Sequence, residues 1–325
     1  GWRVRHFYAC QDVNFDRAGQ YLACAGGEGD ISVWRVDGSE KVASAVMAGT
    51  VTSVCFSPDG SKVAAACVTG EAQVYSWPGL APVNQLKHAN NCSSVAFSPD
   101  GKRLITASWD RTVRVTDLTA WSKVLELAHD NTVWHAVMDA TGASIATASE
   151  DGAARIWDAA SGMCLQRFEH GKPVRAVAFD PQGEFLAAAC QDGTATLHSL
   201  TGGNDVVLAH GSPLTCVAYS PDGNYLVTTG SDDTARIWPR GETTCTAEVR
   251  HEGEILWAAF SPDGRLLATA GADNMARVWL WRTADLVQEA CRRVQRNLSP
   301  AEWSQAAPGV PYRATCEGKR VPVLS

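Results

Sequence analysis

The sequence is short of almost everything that announces chemistry. Its 325 residues contain no GxSxG, no HExxH and no GxxxxGKS/T, the short signatures of a nucleophile elbow, a zinc-protease helix and a phosphate-cradling loop. Gly101-Lys102 and Gly171-Lys172 are ordinary turn pairs. No CxxC occurs among its eleven cysteines, which removes the usual zinc-ribbon spacing; neither a metal nor a cofactor is expected. No apolar run approaches the roughly 18 residues of a membrane helix, and the N-terminus does not read as a signal peptide, so the expectation is a cytoplasmic chain with no membrane partner. There is no basic run either. Lys plus Arg of 28 against Asp plus Glu of 35 gives a net charge of −7, which disfavours non-specific phosphate binding and makes nucleic acid an unexpected partner.

What is present is repetition. The stretch Leu214 to Trp238, LTCVAYSPDGNYLVTTGSDDTARIW, is rewritten along nearly the whole chain. Aligned on the residue before its turn, the anchors are Phe15, Phe56, Phe97, Met138, Phe179, Tyr219 and Phe260, spaced by 41, 41, 41, 41, 40 and 41. A period in the low forties with four short strands per unit predicts an all-β, seven-bladed propeller, in which no unit buries its apolar face without its neighbours. The turn stands as SPDG at Ser57, Ser98, Ser220 and Ser261, and in altered form from Asp16, Asp139 and Asp180. Pro pre-sets φ there and Gly supplies φ > 0. The cysteines, odd in number, fall partly where sister repeats carry small residues: Cys24 aligns with Thr106 and Thr147, and Cys67 and Cys190 align with Ser108 and Ser149. They read as small buried fillers in a reducing compartment.

At this point the chain resembles the WD-repeat propellers over residues 3 to 279. The resemblance implies a structural tetrad of His, Ser or Thr, Asp and Trp in each blade. Nine residues before the anchors stand His6, Met47, His88, His129, His170, His210 and His251; thirteen after them stand Glu28, Thr69, Asp110, Asp151, Asp192, Asp232 and Asp273. Three tetrads are complete: His129/Thr147/Asp151/Trp157, His210/Thr228/Asp232/Trp238 and His251/Thr269/Asp273/Trp279. A buried Asp is tolerable only when bonded, so His and Asp should be lost together, as Met47 and Thr69 suggest. Histidines spread one per blade cannot converge on a metal, and a Ser/His/Asp hydrolase triad has no support.

The propeller is expected to occupy 1-281, and a tail 282-325. Arg3 to Arg5 align with outer strands such as Val206 to Leu208, so the N-terminus should supply the outer strand of the last blade. The start at Gly1, without Met and in mid-motif, suggests an excised domain or a trimmed chain. In the tail, Leu286, Val287, Ala290 and Val294 form one apolar helical stripe with Thr283 as N-cap. Ser299-Pro300-Ala301-Glu302 reads as a capping box with Pro at the first helical position, followed by the extended PGVPYRATC. The tail is +3, from seven basic and four acidic residues, against −10 for the propeller, which permits it to pack back as a cap or against an adjoining domain. Arg296, Asn297, Leu298, Glu302, Trp303, Pro311, Tyr312, Arg313 and Cys316 resemble the tail that closes many bacterial WD-repeat proteins, commonly multidomain signalling proteins with a STAND-type NTPase upstream.

The resemblance also implies which face meets partners: residues six and four before each anchor, and the one preceding the tetrad Asp. Four before stand Gln11, Thr52, Ser93, Trp134, Arg175, Thr215 and Leu256. Before the Asp position stand Gly27, Val68, Trp109, Glu150, Gln191, Ser231 and Ala272. Trp109, Trp134 and Arg175, in consecutive blades, are of the types enriched at hot spots. Leu256, Glu254, Glu150 and Gln191 join them as candidates; Trp257 ranks lower because its strand parity differs from that of Leu256. Against this stands a reading in which the two tryptophans merely pack on one another. The expectation is a non-enzymatic protein-binding module, regulatory in a STAND-like protein or, alternatively, a free-standing scaffold.

Overall fold

The structure is a computed structural model that describes residues 2–5, 9–38, 40–293, 296–306, 316 and 319, leaving out the side chains of Trp2, Arg5, Arg293 and Ala306. His6, Val294 and the tail residues 308–315, with Pro311, Tyr312 and Arg313, lie outside the described set. Two compact units are present, Gly1–Trp279 and Leu280–Ser325.

The first unit is a seven-bladed β-propeller of four-stranded antiparallel sheets. Blade 1 runs Cys10–Phe15, Tyr21–Gly26, Asp30–Arg35 and Lys41–Val46. The next five follow the same order along the chain, their innermost strands being Val51–Phe56, Cys92–Phe97, Val133–Met138, Val174–Phe179 and Leu214–Tyr219. Blade 7 takes Ile255–Phe260, Leu266–Gly271 and Met275–Leu280 from the end of the repeat and its outer strand, Trp2–Arg5, from the start. Trp2 faces Val278 and Arg5 faces Met275 across that antiparallel pair. The clasp closes the ring and pairs the edge of Met275–Leu280 that would otherwise stand open.

Local chemistry accounts for the repeat. In the SPDG turns the serine hydroxyl accepts the amide of the residue five further on, at 2.9 Å from Lys62, Arg103, Tyr225 and Leu266, and donates to the turn Asp at 2.5–2.6 Å. Gly60, Gly101, Gly223 and Gly264 take φ of +66 to +68, where a Cβ is costly. Two altered turns keep the bond by other means, with Asp16 accepting from Tyr21 at 2.7 Å and Asp139 from Ser144 at 3.0 Å. The second strands are buried along almost their whole length, as Leu22–Gly26 and Val63–Cys67 illustrate, because they lie sandwiched between neighbouring blades. Their small Ala and Cys side chains let the blades approach closely.

The tetrads form hydrogen-bonded chains. In blade 7 His251 bonds Asp273 at 3.0 Å and Thr269 at 2.7 Å, while Trp279 Nε1 donates to the same Thr269 hydroxyl at 2.8 Å. Blade 6 repeats this with His210, Asp232, Thr228 and Trp238 at 3.1, 2.8 and 2.8 Å. Burial pushes both imidazoles down, so they are neutral. It raises the Asp232 carboxyl, but bonds from Thr234 and His210 outweigh it and hold the group at about 2. Blade 4 departs from the expected tetrad. His129 bonds Thr147 at 2.8 Å and Trp157 does so at 2.9 Å, yet the other His129 nitrogen faces the Leu127 carbonyl. Asp151 is gripped instead by the Arg155 guanidinium at 2.8 and 3.1 Å. An arginine four past the Asp recurs as Arg236 and Arg277, paired with Asp232 and Asp273. In blade 2 Met47 and Tyr75 are buried in one apolar cluster with Ala65 and Cys67, a relay replaced by packing.

The second unit holds two helices, Thr283–Arg293 and Pro300–Ala306. The capping box is made on both sides: the Ser299 amide donates to Glu302 at 2.8 Å and the Glu302 amide to the Ser299 hydroxyl at 3.3 Å. Cys291 and Cys316 form a disulfide, which corrects the reading of every cysteine as a filler; the other nine are free, seven of them buried or half-buried in the propeller. The pair lies outside the repeats, where comparison between sister blades carries no information. Among the described residues no helix is long and apolar enough to cross a membrane.

Candidate partner-binding face

Antiparallel strands place the loops between second and third strands, and those leading into each innermost strand, on one rim of the propeller. There each blade carries the same irregularity. The pairing of first and second strands slips by one residue between Cys10 and Asp12, Val51 and Ser53, Cys92 and Ser94, Val133 and His135, Val174 and Ala176, Leu214 and Cys216, and Ile255 and Trp257. The extra residue of each bulge is the one four before the anchor. A bulge re-aims side chains and leaves its extra residue out of the ladder. All seven, Gln11, Thr52, Ser93, Trp134, Arg175, Thr215 and Leu256, line one cavity of about 340 Å³ at the mouth of the central channel.

Three of them are partly structural. Thr52, Ser93 and Thr215 each donate at 2.6 Å to the carbonyl of Cys92, Val133 and Ile255, forty residues on in the next blade. One residue deeper, Val54, Val95, Ala136 and Val177 donate their amides to Asp12, Ser53, Ser94 and His135 of the preceding blade, at 2.8, 3.3, 3.1 and 3.4 Å. The blades are thus riveted around the axis, and the mouth is a stiff platform.

On this platform one corner differs. Trp109 and Trp134 meet edge to face with ring centroids 5.1 Å apart, and Arg175 lays its guanidinium 3.5 Å from the centre of the Trp134 ring. Glu150 accepts the Trp134 indole N–H at 2.6 Å. The tryptophans therefore do pack on one another, and both also face the cavity; Trp109 is 39 % exposed. Burial lowers the Arg175 pKa, opposed by the charges of Glu150 and Glu254, so the cation is retained in a partly desolvated place. Such a stack loses little side-chain freedom on binding.

Of the remaining candidates, Glu254 and Leu256 line the cavity across from this corner, and Glu254 accepts from the Ser231 hydroxyl at 2.6 Å. Glu150 acts through Trp134 and Gln191 is not among the lining residues; its amide donates to Pro173. Trp257, ranked lower on parity, does line the cavity, because the bulge resets strand alternation just before it. Its ring meets His135 of blade 4 at 5.0 Å, and burial pushes that imidazole down to about 4. The bulge itself was not foreseen, although its recurrence at one alignment position was the available signal. Among the described residues no cluster of His, Cys, Asp or Glu is arranged to hold a metal ion.

The family model described as the IFT122 first beta-propeller matches residues 50–296. No curated protein matches the chain.

Proposed function

The chain belongs to the family of the IFT122 first beta-propeller, and on that premise we propose that it is a non-enzymatic protein-interaction module whose partner seats on the Trp109, Trp134 and Arg175 corner. The observation that carries this is the aromatic–cation stack at a stiff, concave mouth. It places the two residue types that dominate hot spots side by side, already ordered, with the acidic Glu254 opposite. Replacing Trp109 and Trp134 together by Ala should abolish partner capture from lysate of the source organism, a loss on the order of 2–4 kcal/mol, while the melting temperature falls by only a few degrees. Unchanged capture, or a collapse of thermal stability that accounts for the loss, would overturn the assignment.

The finer reading is that the module senses a protein ligand for an attached bacterial STAND-type NTPase. Its support is the tail, where Arg296 forks onto Glu302 at 2.8 and 2.9 Å and Asn297 clasps the backbone of Cys316 at 2.8 Å in both directions. Those residues carried the resemblance to the bacterial tails. The family match favours a second reading, a free-standing scaffold. The mass of the natural protein separates them: a band well above 34.7 kDa supports the attached sensor, and a band at that mass supports the scaffold.

A further inference from the structure

The opposite rim holds a different feature, visible when the residue twenty-one past each anchor is compared between blades. In six blades its amide donates to the carbonyl five past the anchor at 2.8–2.9 Å, so Val36, Trp77, Leu118, Ala159, Leu200 and Arg240 are structurally equivalent. The first five are apolar and pack in clusters that reach the preceding blade: Trp77 with Tyr21, Leu118 with Cys55, Leu200 with Val137, Val36 with Ala268 and Ala159 with Ala107. Arg240 does not. Its guanidinium lies 5.8 Å from the centre of the Phe185 ring and pairs with blade 5, with the buried Asp180 at 3.0 Å and with Glu184 at 2.6 Å.

No apolar side chain therefore fills the seam between blades 5 and 6. A cavity of about 120 Å³ remains, lined by Phe185, Leu197, Val206, Tyr219, Leu226 and Trp238, with Arg240 at its edge. The Tyr219 hydroxyl is buried there with no hydrogen-bond partner, an arrangement that ordinarily costs about 1–3 kcal/mol. The same seam between blades 1 and 2 shows what such a cradle accepts. There Tyr21 and Phe56 hold the Trp77 ring edge to face, with centroids at 5.2 and 5.5 Å. Tyr21 lies six past its anchor and Phe56 is an anchor; the corresponding residues in the open seam are Phe185 and Tyr219. Two aromatic walls are thus kept, and the counterpart of the Trp77 indole is the Arg240 guanidinium over Phe185, which leaves the apolar slot unfilled.

We propose that this seam is a second binding site, independent of the channel mouth, that accepts one tryptophan side chain of a partner polypeptide. The volume is below the ~300 Å³ at which small-molecule and cofactor sites begin and suits a single side chain. An indole fills an apolar slot and also brings an N–H to the stranded Tyr219 oxygen, which Leu or Phe cannot do.

The probe is N-acetyl-L-tryptophanamide, titrated into the whole chain and followed by the methyl NMR signals of Leu197, Val206 and Leu226. Saturable shifts at these methyls are expected, with the leucine amide at least about tenfold weaker. Val206→Phe, which fills the slot from its half-buried wall, should weaken binding by about tenfold or more, and Tyr219→Phe by roughly three- to tenfold. Either variant decides the matter if the other does not fold, with the melting curve checked for both. Absence of shifts at these methyls, equal response to the leucine amide, or unaltered binding in a folded Val206→Phe chain overturns the site. Binding of free indole but not of the blocked amide overturns the polypeptide source, and concentration-dependent dimerisation abolished by Trp109→Ala would assign the slot to a second copy instead. Capture through the channel mouth is unaffected by Val206→Phe, so failure here is separable from failure of the proposed function.

Discussion

Blades 7 and 5 occupy the same architecture with opposite internal chemistry. In blade 7 a histidine links Asp273 to Thr269 and the Trp279 indole closes the relay. Blade 5 keeps His170 and Asp192 but has Ala188 where the Thr belongs and His198 where the Trp belongs. Its histidine turns to the new one, Nε2 to Nε2 at 3.1 Å, and His198 hands its other nitrogen to Asp205 of the segment leading to the outer strand at 2.7 Å. Phe168 of blade 4 stacks on His198 with centroids 4.1 Å apart. The fold tolerates both, which teaches that a blade needs its buried polar groups partnered but does not prescribe the partners. Blade 2 makes the same point from the apolar side.

The comparison breaks first at Asp273. Its carboxylate serves His251, Arg277 and the amides of Glu252 and Met275, and it is 5 % exposed. Asp273→Ala strands an imidazole and a guanidinium together, and should cost about 3–5 kcal/mol in urea unfolding. Thr69→Ala, at the equivalent place in blade 2, should cost under about 0.5 kcal/mol because Thr69 is exposed and His251's counterpart is the buried Met47. Equal losses would mean that the relay contributes nothing beyond the backbone turn.

The contrast also explains what could be read in advance. The blade number, the clasp by Trp2–Arg5 and the intact tetrads of blades 6 and 7 were legible because Gly at positive φ, the SPDG serine and the His–Asp pair are each demanded by one local geometry. The mouth was legible by position, since Trp109, Trp134 and Arg175 share a rim by arithmetic alone. Blade 4 was not: His129 and Asp151 stand at the same spacing as the pairs of blades 6 and 7, with the same arginine four past the Asp, yet His129 turns its second nitrogen to the Leu127 carbonyl. The open seam was equally hidden, because Arg240 looks like any exposed arginine until Phe185 and Tyr219 are seen to line one cavity. The Cys291–Cys316 disulfide has no sister repeat with which to compare it.

Asp12 sharpens the comparison around the axis. At the position where Ser53, Ser94 and His135 accept the neighbouring blade's amide, this blade places a carboxyl, 4 % exposed, with one oxygen unpartnered. Burial raises it from 3.8 to about 7 against the bonds from Val54 and Ser53. A carboxyl whose folded pKa is raised stabilises below its unfolded value, and that contribution is lost as pH rises from about 4 through 7. Asp12→Asn keeps an acceptor for Val54 without the charge. It should therefore gain on the parent chain by about 2–4 kcal/mol between pH 5 and pH 8, and a gain that does not change with pH would show Asp12 neutral throughout.

The smallest expected effect tests blade 5 itself. Burial, then the neighbouring His198, pushes His170 down from 6.5 to about 4, with Asp192, Glu169 and Asp205 opposing. A base held below its unfolded pKa stabilises above pH 6.5, and that contribution disappears as pH falls towards 4, because the unfolded chain takes up the proton first. His170→Asn can still donate to His198 but has nothing to titrate. The rise in stability between pH 4 and 6.5 should shrink by about 1–2 kcal/mol, discounted for the partial exposure of the ring, while stability at pH 8 changes little. His251→Asn in blade 7 should behave differently, losing stability at every pH because Asp273 and Thr269 each lose a partner. If both substitutions lower stability without changing its pH dependence, the histidine pair is an ordinary relay with one member exchanged. If His170→Asn flattens the acid limb while stability at pH 8 stays near that of the parent, blade 5 holds its histidine in a pair that yields to acid, whereas His251→Asn should flatten that limb and lower stability at pH 8 as well.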